Sequence, residues 1–193
     1  MARRTGEKYR AILEAAVKTF ARFGFHGTRV ADIAREAGVA DGTVYIYFRC
    51  KEDILISLFQ ELMDKFVGDL QAELQQCSGA QAKLQTLIDY HFRVLNSRPE
   101  QAMVTQIELR QIDREINRGI SLPLRKYFRL IEEVIKEGQN AGLFRQNIDI
   151  RTARKIIFGA IDEVVTCWVM STRRYDLASY SRPVFDLLLK GLQ

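Results

Sequence analysis

Cysteine is scarce and poorly placed for pairing: Cys50, Cys77 and Cys167 are odd in number, far apart and form no Cys-x-x-Cys motif. That pattern offers neither a disulfide framework nor a thiolate metal site. The only histidines, His26 and His91, also lack metal-ligand spacing. His91 stands alone and reads as a core or surface histidine. The chain holds no phosphate loop, no G-x-S-x-G, no H-E-x-x-H and no candidate triad, so an enzyme reading has no residues to rest on. No run approaches the roughly 18 apolar residues of a membrane span. Met1-Ala2-Arg3-Arg4-Thr5 is basic, but a segment of mixed charge follows it, not an apolar signal core. A soluble, cytoplasmic protein without metal or cofactor is therefore expected. Hydrophobic residues nonetheless make up 47% of the chain, enough for a real core.

Proline is rare as well. Pro99, Pro123 and Pro183 are the only three, and the first 98 residues have none. Long segments are thus free to be helical, and no convincing strand alternation occurs. The first helix is expected over 6–23, with Tyr9, Ile12, Leu13, Ala16, Phe20 and Phe23 at steps of three and four. Gly24 would stop it. Short helices follow at 30–37 and 41–48. A long one is expected over 52–76, with Glu52 and Asp53 in its first turn suiting the helix dipole. Beyond the Cys77-Ser78-Gly79 break, helices are expected at 80–96, 100–116, 121–141, 150–172 and 180–191. Pro99 and Pro123 fit first helical turns. The fold class is therefore all-α, with about nine helices.

Charge is unevenly spread. Residues 1–51 carry ten Lys/Arg and five Asp/Glu, which leaves nineteen of each sign in the remainder from totals of 29 and 24. The whole net charge of +5 thus sits in the first quarter. Charge alone leaves two readings open, a phosphate-binding module or a solvated basic face. It does suggest a division into 1–51 and 52–193.

The two short helices are joined by Gly38-Val39-Ala40, a three-residue, glycine-containing turn of the helix-turn-helix kind. Gly38 supplies the positive φ at which the first helix ends. Ile33, Ala34, Ala37, Val39 and Val44 would form a small core against the first helix, leaving the other face of 41–48 for a major groove. The stretches Ile33-Ala34-Arg35-Glu36-Ala37-Gly38-Val39, Gly42-Thr43-Val44-Tyr45-Ile46-Tyr47-Phe48 and Lys51-Glu52-Asp53-Ile54-Leu55 resemble the N-terminal signature of TetR-family repressors over about 50 residues. The resemblance implies a homodimer on palindromic double-stranded operator DNA. It implies DNA contacts by Gly42 and Thr43 at the opening of the recognition helix, by Tyr45 and Tyr47, and by Lys51 and Thr28 on phosphate. The alternative for the tyrosines is ring packing with a solvated hydroxyl, and Phe48 is expected to plug the core. Two positions depart from the pattern. Arg29 replaces the usual Ser or Thr N-cap and would add a phosphate contact. Ala40 replaces the usual capping Ser, so Asp41 would cap instead.

The last two expected helices carry broad apolar bands. Ile157, Ile161, Val165, Phe185 and Leu188 are candidates for a four-helix dimer interface, the alternative being that they close the core of a single protomer. The central helices would enclose a ligand, with Tyr90, Val94, Met103, Ile107, Arg110, Phe128, Ile131, Phe158 and Trp168 as candidates; plain core is the alternative for each. The segments 104–111 and 153–166, with Trp168-Val169-Met170 and Tyr175-Asp176-Leu177, resemble the FadR-type, acyl-CoA-responsive branch of the TetR family. That resemblance implies repression of fatty-acid degradation genes, relieved by long-chain fatty acyl-CoA. Arg93, Arg98, Arg110, Arg114, Arg118, Arg125, Lys126 and Arg129 are available for the CoA phosphates. A TetR-family repressor of multidrug efflux or another pathway, answering to a different hydrophobic ligand, would share the same head.

Overall fold

The computed structural model describes residues 6–108, 110, 113–173 and 175–193. Among these it contains nine α-helices and no strand: α1 (Glu7–Gly27), α2 (Val30–Glu36), α3 (Asp41–Tyr47), α4 (Lys51–Gln75), α5 (Ala80–Asn96), α6 (Pro99–Glu108), α7 (Arg114–Asn140), α8 (Ile150–Met170) and α9 (Ser181–Leu192). A short 3-10 helix, Leu177–Tyr180, precedes α9. Two compact units form, and neither is continuous in sequence. One takes Met1–Leu62 with Met103–Pro123, the other Met63–Ala102 with Leu124–Gln193.

In the first unit, five of the six expected stripe residues of α1, Tyr9, Ile12, Leu13, Ala16 and Phe20, lie inside, whereas Phe23, just before the break at Gly24, is 50% exposed. Gly24 does interrupt the helix, at φ 70° and ψ 164°, but one further turn follows to Gly27. The start of α2 needs no Ser or Thr, because the Asp32 carboxylate accepts the Arg29 backbone N–H at 3.1 Å. Gly38 has φ 66°, in the region that favours glycine. Asp41 does not cap α3. Ala40 is the N-cap, without any side-chain bond, and Asp41 is the first helical residue.

The boundary between α6 and α7 departs from expectation. The Asp113 carboxylate accepts the N–H groups of Glu115 and Ile116, at 2.9 and 3.0 Å, and so starts α7 at Arg114. An aspartate that satisfies orphan amides is a helix start. Pro123 therefore lies inside α7, not in its first turn. Pro123 has no N–H to donate to the Gly119 carbonyl four residues back; at Gly119 an added Cβ would come within 2.7 Å of the Ile56 side chain.

The second unit is built on α5, α8, α9 and the second parts of α4 and α7, around one cluster of buried apolar side chains. Asp149 caps α8, accepting from the Thr152 amide at 2.8 Å and its hydroxyl at 2.7 Å. Gln139 donates to the carbonyls of Arg145 and Ile148, at 2.9 and 3.0 Å, and so holds the loop between α7 and α8. Phe144 from that loop lies against Gly138, where a Cβ would stand 2.1 Å from the ring.

Four of the five residues expected at the dimer interface prove to be core. Ile157, Ile161, Val165 and Phe185 are at most 4% exposed within a single protomer, and only Leu188 is partly open. The apolar band of α8 is wide enough to serve two faces. The large apolar side chains that face solvent are Ile156 and Met170 on α8 and Leu187 on α9.

Candidate nucleic-acid interface and buried polar pair

The helix-turn-helix is locked from its inner side. Ile33, Ala34 and Val44 are fully buried. Phe48 is the expected plug, stacked on Tyr9 with centroids 5.2 Å apart and 17° between ring planes. Tyr47 leans on the same pair, 6.2 Å from Tyr9 and 6.5 Å from Phe48, and is half-buried. Tyr45 points out, at 57% exposure. Gly42 and Arg29 are exposed too, and Thr43 is half-buried. The same outer face carries Ile46, 62% exposed. Sequence reasoning passed over this residue, although its place next to Tyr45 on a short helix could have flagged it. An apolar side chain on that face suits a thymine methyl.

Thr28 and Lys51 are otherwise engaged. The Thr28 side chain is buried, and its hydroxyl is bonded to the carbonyls of Gly24, at 2.8 Å, and Thr19, at 3.2 Å. It finishes α1 and has no free proton for a phosphate. The Lys51 ammonium donates to the carbonyls of Phe25 at 2.6 Å, Thr28 at 2.8 Å and His26 at 3.4 Å, and stands 4.5 Å from the centroid of the Phe25 ring. A cation over the terminal carbonyls of a helix is favourable for the dipole and for the otherwise unpaired oxygens. Glu108 completes the clamp: its buried carboxylate accepts the Phe25 N–H at 3.1 Å. Only the three-dimensional fold brings residues 25, 51 and 108 together.

In the second unit, aromatic residues of α4, α5 and α8 surround one polar pair. His91 and Tyr127 are both buried, with Nδ1 and the phenol oxygen 2.9 Å apart. The Phe66 ring meets His91, Tyr90 and Tyr127 edge-on, at 5.3, 5.0 and 5.5 Å. Burial pushes the His91 pKa down to about 3, so the ring is neutral at physiological pH. Burial, with the charge of Asp162, pushes the Tyr127 phenol up. Tyr90 is raised to about 12, by burial first and then by Asp69 and Glu73.

The candidate ligand residues divide between the units. Tyr90, Val94, Phe128, Ile131, Phe158 and Trp168 belong to the second unit, Tyr90 and Ile131 buried and the others partly so. Phe128 and Phe158 meet edge-on at 4.9 Å, and the Arg154 guanidinium lies 4.5 Å above Phe128. The Trp168 indole N–H donates to the Tyr175 carbonyl at 2.9 Å. Met103, Ile107 and Arg110 belong to the first unit; Ile107 is 42% exposed and Arg110 donates to the Gln106 carbonyl. Among the basic candidates, Arg93 pairs with both oxygens of Glu73 and Lys126 pairs with Asp64.

Residues 12–58 match the tetR family of bacterial regulatory proteins, and residues 59–191 match the C-terminal region of YsiA-like proteins. The chain belongs to the TetR family. This is a family of regulatory proteins, not of enzymes. The TetR-family chain is 43% identical to the fatty acid metabolism regulator protein of Bacillus subtilis, over 96% of its own length and 95% of that protein. Its fold matches the fatty acid degradation regulator FadR of Bacillus halodurans with a TM-score of 0.91 and 45% identity, covering 96% of this chain and 100% of the other. It matches B. subtilis FadR, solved in complex with stearoyl-CoA, with a TM-score of 0.92 and 42% identity over the same shares. No helix among the described residues is long and apolar enough to cross a membrane.

Proposed function

We propose that this protein is a homodimeric, DNA-binding transcriptional repressor of fatty-acid degradation genes, released from its operator by long-chain acyl-CoA. The observation that carries this reading is near full-length likeness, above 40% identity, to FadR regulators, one of them solved with stearoyl-CoA. The excess positive charge of residues 1–51, which make up the DNA-binding part, supports it from the other side. Residues 52–193 bind effector and partner, and the protein works in the cytoplasm.

Arg29, Gly42, Thr43, Tyr45 and Tyr47 meet the operator, with Ile46 added to their face. Lys51 holds the end of α1 with its two short hydrogen bonds, and the long one to His26 is the proton a phosphate would take. Two copies join through the outward residues Ile156, Met170 and Leu187, since a single helix-turn-helix reads only a half-site. Ligand and DNA then oppose each other through two arrangements of the dimer, each lowering the other's affinity by the same factor.

Gel shifts with a DNA fragment selected for tight binding, with and without oleoyl-CoA, test the proposal. Acyl-CoA is expected to release the fragment. Undiminished binding at saturating oleoyl-CoA overturns the acyl-CoA response, and no preference for any DNA sequence overturns the repressor reading as a whole.

A further inference from the structure

The buried pair in the second unit has one polar atom left over. The Tyr127 phenol has a single proton, and its hydrogen-bond partner among the described residues is His91 Nδ1. A neutral imidazole carries one N–H. With Tyr127 donating to Nδ1, that N–H is at Nε2; this proton assignment follows from the phenol's need to donate. His91 Nε2 is buried and has no partner among the described residues. Its surroundings are apolar: rings of Phe66 and Phe92 lie 5.3 and 6.3 Å away, within the main core cluster. A buried donor without an acceptor is disfavoured, and native interiors rarely keep one that nothing ever satisfies. What this spot lacks is a hydrogen-bond acceptor, and an apolar ligand carrying one would supply it.

We propose that the Nε2–H of His91, held in that tautomer by Tyr127, donates to the carbonyl oxygen of the ligand's acyl group, and so selects acyl thioesters over chains of the same length that lack the carbonyl. The proposal rests on the acyl-CoA reading above. It makes His91 the specificity-determining residue of the ligand site and Tyr127 its positioning residue.

Release of DNA is followed by fluorescence anisotropy with two probes, palmitoyl-CoA and S-hexadecyl-CoA, a thioether without the carbonyl. The wild-type protein is expected to need about ten-fold more thioether than thioester. His91→Phe should answer equally to both. His91→Gln, whose amide N–H replaces the imidazole donor, should keep most of the preference. Equal potency in the wild-type protein overturns the proposal, makes a buried water the acceptor of His91 and leaves the acyl-CoA reading standing. Failure of both compounds to release DNA overturns that reading and the proposal with it. If His91→Phe does not fold, the wild-type ratio decides, together with infrared spectra of bound, carbonyl-labelled palmitoyl-CoA. The carbonyl stretch must lie below that of the same thioester in hydrocarbon solvent, and a band at the hydrocarbon position overturns the proposal.

Discussion

Replacing Lys51 by alanine separates the two tasks assigned to its ammonium. Two short charge-assisted bonds, 2.6 Å to Phe25 and 2.8 Å to Thr28, hold the terminal carbonyls of α1. Such bonds contribute about 1.5–3 kcal/mol each when buried. Here the side chain is half-buried and the released carbonyls can turn to water, so about 1–2 kcal/mol in total is the realistic loss. For a chain of 193 residues that lowers Tm by about 2–8 °C. The phosphate role has its own signature. Losing one phosphate contact weakens all DNA sequences alike and flattens the logarithmic salt dependence by about one unit. Thermal melts and salt titrations of operator and random DNA read the two effects separately. An unchanged Tm refutes the clamp, and an altered base preference refutes the phosphate contact.

Gly138→Ala gains about 1 kcal/mol of helix propensity but drives a Cβ to 2.1 Å from the Phe144 ring, so a net loss of about 1–2 kcal/mol is expected in urea unfolding. In a Phe144→Ala background the same change should stabilise, and absence of that reversal would show that the ring is not the obstacle. Leu187→Glu, at a 74% exposed position, should leave the protomer folded but monomeric by sedimentation velocity and unable to hold its operator. Ile157→Glu at a 1% exposed position should unfold the protomer instead, and equal effects would contradict the assignment of the two faces. The folded His91 pKa of about 3 lies below its unfolded value near 6.5, so its contribution is present above pH 6.5 and lost as pH falls from there toward 3. Between pH 7.5 and 5.5 the unfolding free energy of wild type should fall by about 1 kcal/mol more than that of His91→Gln in chemical unfolding, and identical pH dependence in the two would place His91 in contact with water.

The head was largely legible in the amino-acid order because its logic is local. Gly38 needs positive φ, Val44 and Phe48 sit at helical spacing, and Tyr45 falls on the opposite face, all within a few residues of one another. The clamp on Phe25 was not legible, because Lys51 and Glu108 reach it from distant parts of the chain. The resemblance implied a phosphate contact for Thr28, but it gives a hydroxyl's position and not its direction, and that hydroxyl turns inward to Thr19 and Gly24.

The amino-acid order by itself determined an all-helical chain and a basic first quarter, because helical periodicity, glycine φ and net charge are local or additive properties; the TetR family entered through the resemblance of residues 33–55 to the family's signature. Tertiary packing alone decided which face of α8 closes the core and which stays open, since Ile156 and Ile157 are alike in chemistry and differ only in the side of the helix they occupy. It also decided that His91 and Tyr127, on separate helices, meet in an apolar interior, where His91 Nε2 has no partner among the described residues. Burial is a property of all the neighbours at once, and no single stretch of sequence carries it.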